Sequence, residues 1–173
     1  MKKLVYTAFA FVLFTALFAF TALQTWKIKD TYSIKFSSKD VNGIFKDFSG
    51  NITFDPADLA KAKFDLSLDV SSINTGNAIQ NKHAKGEEWF HAEKYPTIKF
   101  VATKFEKSGS DYKATGSLEI RGIKKETTIP FSFSKNVFKA VFSVNRNDFK
   151  IGKPGGDVSN MIKIEASIPV SKK

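Results

Sequence analysis

The chain contains no cysteine. That absence excludes disulfide frameworks, thiolate metal sites, cysteine nucleophiles and a cysteine-linked lipid anchor. Histidine is scarce. His83 and His91 are the only two, eight positions apart and without HExxH-like spacing, which argues against a histidine-built metal centre. There is no GxSxG, no glycine-rich phosphate loop and no Ser/His/Asp constellation. Asp65 with Asp69, and Glu87 with Glu88, come nearest to paired carboxylates. The first pair falls on the wet face of a predicted strand and the second in a predicted loop, where solvation explains both. An enzyme is therefore the least supported class of function, and no metal or organic cofactor is expected.

Tryptophan and tyrosine are also few, at 2 and 4, yet phenylalanine numbers 18. Rings without polar handles point to a large apolar interior rather than a hydrogen-bonding cleft. With 173 residues, 42% hydrophobic and 25% charged, the chain has the length and mixture of one globular domain. Acidic residues are outnumbered 17 to 27 by Lys and Arg, giving +10. The lysines are spread along the polar faces of many strands, and beyond the N-terminal segment only Lys124-Lys125 and Lys172-Lys173 are adjacent. No aromatic nucleic-acid motif accompanies them. This distribution predicts weak attraction to an anionic membrane surface and no nucleic-acid partner.

Met1-Lys2-Lys3 opens the chain, and Leu4 to Leu23 follows as 20 residues without a charge. A basic start before an apolar run reads as a secretory signal peptide; the run is also just long enough for an uncleaved membrane anchor. Residues 1–23 are thus assigned to targeting and 24–173 to a single domain. The expected location is periplasmic or secreted.

From residue 32 onward the hydrophobic period is two. Phe64, Leu66, Leu68 and Val70 oppose Lys63, Asp65, Ser67 and Asp69. Tyr112, Ala114, Gly116, Leu118 and Ile120 form another dry face, as do Thr127 to Phe133, Phe138 to Val144 and Ile162 to Val170. Ile44, Phe48, Ile52 and Phe54 are read as one face, with Gly50 marking a bulge or bend. Eight strands are predicted, near 32–39, 43–54, 63–71, 97–106, 111–121, 125–134, 137–146 and 160–170. Pro130 and Pro169 fall inside two of them and suggest edges or bulges. The links are short except for Ser72 to Pro96, which holds a helix-permissive run from Asn77 to Lys85 and is long enough to be functional. Trp89, Phe90 and Tyr95 on this connector either cap a barrel mouth or anchor the loop.

The fold class is therefore all-β: the strands can stack as a two-layer sandwich or close into an eight-stranded antiparallel barrel with one long, partly helical connector, and closure, which removes exposed edges, is the expected arrangement. At this strand number the interior is either packed with side chains or holds one small ligand. Ala102, Ala114, Gly116, Ala140 and Ala166 on the dry faces leave room for a ligand, or let opposing rings interdigitate.

Several phrases together resemble the YceI-like, polyisoprenoid-binding family. They are Gly43 to Pro56 (GIFKDFSGNITFDP), Ser72 to Gly76 (SINTG), His91 to Phe100 (HAEKYPTIKF), Tyr112 to Lys125 (YKATGSLEIRGIKK) and Val144 to Gly152 (VNRNDFKIG). The resemblance runs in order over about residues 30–170. It implies a lipocalin-like barrel, export, and a long isoprenoid chain such as a polyprenyl lipid or quinone held in the lumen. It implies no catalytic activity. The chain departs from the family where an Arg-Asp-x-His-Leu phrase is common: here Gln80-Asn81-Lys82-His83-Ala84 keeps only the histidine.

Parity and distance from strand ends select the candidate ligand contacts: Phe36, Phe48, Phe64, Leu66, Leu68, Phe100, Leu118, Ile129, Phe131, Phe142, Ile162 and Ile164. Arg146 shares the inward parity of Phe142 and Val144, and a buried guanidinium needs partners. It is read either as a headgroup contact at a barrel end or as a structural ion pair with Asp148 or Asp157. Burying a tail of about 40 carbons has a nominal gain of roughly 30 kcal/mol. That exceeds the roughly 18–21 kcal/mol at which non-covalent affinities saturate, so tail ordering and incomplete burial absorb the difference. The expected function is carriage or sequestration of an isoprenoid. The alternative is a barrel with a filled core that acts through a protein partner.

Overall fold

A strand whose apolar side chains alternate with polar ones can bury one face and wet the other, and here such strands close on themselves. The computed structural model describes residues 23–155 and 158–173. All but the last residue of the predicted targeting segment lies outside the described residues. Eleven hydrogen-bonded segments make eight staves. β1 (Thr25–Ile28) and β2 (Ser33–Ser37) run in one direction and form the first stave. β3 (Asn42–Phe45) with β4 (Phe48–Thr53) forms the second, and β5 (Lys63–Asp69) with β6 (Ile73–Asn74) the third. β7 (Thr97–Ser108), β8 (Asp111–Ile120), β9 (Ile123–Ser134), β10 (Val137–Asn145) and β11 (Met161–Lys172) follow. Each stave is antiparallel to its neighbours in sequence. β11 then returns to the first stave, Ile164 facing Phe36 and Val170 facing Ile28, and the ring is closed.

The eight expected strands are present, with two differences inside them. β1 was not expected, and it supplies the pairing of β11 and β4 at one end of the barrel. The second stave breaks at Lys46-Asp47. The break shifts parity, so that Phe45 rather than Ile44 turns inward: Phe45 is buried and Ile44 only half-buried. Pro169 sits where the outer edge of β11 passes from β2 to β1. Its carbonyl accepts from Lys29 N (2.9 Å); its nitrogen faces the same side, toward the Lys29–Tyr32 break, where no ladder donor is needed. Pro130 stands where the β9–β10 ladder stops at Phe131↔Ala140.

Two glycines let neighbouring staves approach closely. Gly50 has φ +145°, and a Cβ there would lie 2.3 Å from the Asp65 carbonyl oxygen. A Cβ on Gly116 would lie 2.1 Å from the Val101 carbonyl oxygen, opposite the register shift between Ala102 and Lys104 in β7. Bulges of this kind bend a strand and help a sheet to curl shut.

The two ends of the barrel differ. At the end holding the β7–β8 and β9–β10 turns, Phe54 is fully buried. Its ring centroid lies 5.1 Å from that of Tyr112 and 5.4 Å from those of Phe131, Phe133 and Phe138. Trp26 adds an edge-on contact to Phe133 at 5.1 Å, and its Nε1 donates to the Phe54 carbonyl at 2.8 Å. These rings plug that end. The other end carries the long connector and the 146–160 segment. The connector holds α1 (Ala78–Lys85), the only α-helix among the described residues. The Asn77 side chain caps α1 by accepting from Ile79 N (2.9 Å) and Gln80 N (3.1 Å).

Candidate functional site

Between the aromatic plug and the connector lies a cavity of about 380 Å³, within the range of roughly 300–1,000 Å³ usual for small-molecule sites. Phe64, Phe131 and Phe138 of the plug form its floor. Its wall takes Phe36 from β2, Phe48 from β4, Leu66 and Leu68 from β5, and Phe100 from β7. Leu118 of β8, Ile129 of β9, Phe142 of β10, and Ile162 and Ile164 of β11 complete the circle. Ala140 and Ala166, cross-strand partners on β10 and β11, face the same space. All thirteen candidate residues chosen from the sequence, Arg146 included, line this one cavity. The interior is thus neither solid nor flat-sided.

Parity could not find the roof. Trp89 and Phe90 reach down from the connector onto the cavity, Phe90 meeting Phe45 edge-on at 6.2 Å. Tyr95 instead packs beside Gly122 and anchors the loop. Ile73, Ile98 and Ile151 also face the cavity. The open rim carries Asp40, Val41, Thr75, Gln80, His83 and Val158. Gln80, His83 and Ala84, at helical spacing, turn one side of α1 toward the mouth. Among the described residues, no three imidazole or carboxylate groups converge as metal ligands.

Arg146 is 2% exposed and has no carboxylate partner among the described residues. Asp148 lies 3.8 Å from Lys125, and Asp157 is outside the described residues. The guanidinium is instead held by backbone carbonyls. Nη1 donates to Ile151 O (2.7 Å) and Lys153 O (3.1 Å), Nη2 to Val158 O (2.9 Å), and Nε to Ser159 O (3.2 Å) and Val158 O (3.3 Å). The Trp89 ring lies 5.9 Å from the guanidinium carbon, a cation–π distance. The expected ion pair with Asp148 is therefore not formed, and the one with Asp157 falls outside the described residues. A loop whose carbonyls turn inward needs a many-donor group, and Arg146 staples that loop beside the cavity.

A second tie crosses the rim. Asp40 Oδ2 accepts from Ser159 N (2.8 Å) and Ser159 Oγ (2.6 Å). These bonds, the hydroxyl's first, hold the Asp40 carboxyl below its ordinary 3.8, with Lys39 nearby acting in the same direction.

A profile of the YceI-like domain matches residues 24–170. The chain belongs to the YceI-like family. It is 30% identical over 137 residues to a UPF0312 protein of Photorhabdus laumondii, covering 71% of each chain. It is 28% identical over 136 residues to protein YceI of Escherichia coli O157:H7, covering 73% of this chain and 71% of that one. Burkholderia cenocepacia BcnA superposes with a TM-score of 0.79 at 27% identity, over 84% of this chain and 99% of BcnA. A polyisoprenoid-binding domain from Saccharophagus degradans shares the fold, with a TM-score of 0.60 at 14% identity over 86% of this chain and 98% of that one.

In this YceI-like barrel the Arg146 staple makes a stability prediction. Arg146→Met keeps much of the apolar stem but leaves the carbonyls of Ile151, Lys153, Val158 and Ser159 without their donor. Orphaned acceptors, buried at Ile151 and part-buried at the other three, make this variant less stable by about 2–4 kcal/mol, read as an earlier midpoint in urea unfolding. A midpoint equal to the wild type would show that the staple bears no load.

Proposed function

We propose that this YceI-like protein is an exported lipid-binding barrel that holds an isoprenoid lipid, tail inward, for carriage or sequestration. The observation that supports this most is the cavity, dry-walled, closed at one end by the Phe54 cluster and open at the other between α1 and the Ser38–Val41 turn. Burial alone can retain such a ligand, at about 0.8 kcal/mol per methylene, without any reacting group. The thirteen wall residues are its proposed contacts. The Saccharophagus degradans domain that shares this fold is a polyisoprenoid-binding one, which agrees with that choice of ligand. The charge-free run from Leu4 to Leu23 behind Lys2 and Lys3 supports export to the periplasm or beyond.

The test is mass spectrometry of an organic extract from natively purified protein. The expected result is a prenyl lipid close to one per chain. Repeated empty extracts, together with no rise in melting temperature on adding a prenyl quinone, would sink the reading, because a ligand that binds only the folded state must stabilise it.

A further inference from the structure

An apolar ligand cannot reach the cavity through water, so the open rim has to meet a lipid phase; this argument rests on the lipid-holding reading above. The rim carries what such a meeting requires. Ile79 of α1 is 67% exposed and Met161, two residues beyond Ser159, is 53% exposed. Neither lines the cavity, and both border its open end. Lys82, one turn along α1 from Ile79, and Lys39, beside Asp40 in the β2–β3 turn, are exposed. Neither lysine has a carboxylate partner among the described residues. Of the described acidic groups near the rim, Asp40 is bound to Ser159, Glu88 lies 3.6 Å from Lys153, and Asp148 pairs with Lys125. Glu87 is exposed on the far limb of the connector, past α1.

The helix itself fully buries no side chain. It is tied at its start by the Asn77 cap and by Asn81, whose Oδ1 accepts from Thr75 N (2.8 Å) and Thr75 Oγ1 (2.9 Å), and at its end by the carbonyls of Ala84 and Lys85, which accept from Phe90 N (3.0 Å) and Ala92 N (2.9 Å). A short helix that gives its polar residues to the cavity mouth and an isoleucine to solvent is explained by a surface that takes up the isoleucine.

We propose that this rim is a membrane-docking face for an anionic bilayer: Ile79 and Met161 enter the headgroup boundary while Lys39 and Lys82 pair with lipid phosphates. An exposed isoleucine gains by partial burial there, and long lysine side chains keep their charge at the interface. The other large exposed apolar side chains on the staves, Val101 and Val141, lie mid-strand, opposite Asp65 and Glu165, and not at the rim. Docking through the mouth therefore brings the dry interior against the acyl phase.

The experiment is sedimentation of the full protein with vesicles of phosphatidylglycerol and phosphatidylcholine, compared with vesicles of phosphatidylcholine alone. The wild type is expected to bind the anionic vesicles and to lose that binding as salt is raised. Each positive charge near such a surface contributes about fivefold to partitioning, so Lys39→Glu/Lys82→Glu is expected to weaken binding at least 25-fold. Ile79→Asp is expected to weaken it several-fold. Lys107→Glu/Lys113→Glu, at the plugged end, and Val141→Asp are the matched controls and should each weaken it less than threefold. Absence of wild-type binding, or equal losses in rim and control variants, overturns the proposal. So does a dimer in solution that Ile79→Asp breaks without any vesicle binding, since the rim would then face a second copy. The prenyl content of each variant, measured in parallel, separates the two readings. Lipid-loaded protein with indifferent rim variants rejects docking alone. Rim-dependent binding by lipid-free protein rejects carriage alone.

Discussion

Phe54→Ala is expected to remove about 3–5 kcal/mol of stability, a fall in Tm of roughly 10 °C or more for a domain of this size. Phe54 has no exposed surface. Its ring is met by Phe64, Phe105, Tyr112, Phe131, Phe133 and Phe138 at centroid distances between 5.1 and 6.3 Å. Rings from staves on several sides thus converge on one residue, and a void left there cannot collapse without moving strands fixed by their ladders. Its main chain matters too: Phe54 N donates to Gln24 O (3.0 Å) and its carbonyl accepts from Trp26 Nε1. The ring and backbone together hold β1 in the barrel. The comparison that tests the argument is Phe142→Ala. Phe142 is only half-buried and faces the cavity, so its ring already lacks neighbours on one side and its truncation loses less dispersion energy. Thermal unfolding that ranks the two variants equally, or Phe142→Ala lower, would mean that the plug is not where the stability resides.

How much of this was legible in the sequence depends on what alternation encodes. Period two tells which way a side chain points, so the eight staves and the inward parity of residues such as Leu66, Leu118 and Ile164 could be read directly. It is silent where a segment is too short to show a period. Thr25–Ile28 carries only Trp26 as a deeply buried residue, and β1 was missed for that reason. It misleads where a ladder breaks. The two residues Lys46 and Asp47 lie outside any strand, and counting through them put Ile44 rather than Phe45 on the inner face. Alternation also gives direction but not radius. Whether the rings facing inward meet across the barrel axis is a sum over all staves, over the close approach at Gly50 and over the bulge opposite Gly116, which is why a filled core and a cavity were equally open readings. Connector signals were clearer at the helix, where Asn77 and Gly86 mark the two ends of α1. They were absent for Arg146. Its partners are main-chain carbonyls of a loop, and no side-chain identity announces which way a carbonyl turns.

Filling the cavity is the sharpest test of where a ligand sits. Ala140 and Ala166 face each other across β10 and β11 and both border the empty space. Replacing both with phenylalanine directs two rings into a cavity of about 380 Å³. Inserting bulk into a packed interior costs about 1–3 kcal/mol through strain, whereas inserting it into a void adds contacts and removes apolar surface from water. The double variant is therefore expected to melt at or above the wild-type temperature. Its prenyl lipid content is expected to fall to less than a tenth of the wild type's. The two readouts check each other. A variant that unfolds early would show that the space is already occupied by side chains, against the geometry. A variant that is stable and fully loaded would place the lipid outside the lumen. Only a stable, empty barrel fits a tail that lies among Phe36, Leu66, Phe100 and Ile164, because nothing else about the protein has been altered: the rim, the Arg146 staple and the surface lysines are unchanged. The loss then measures displacement of the tail and not a weakened fold.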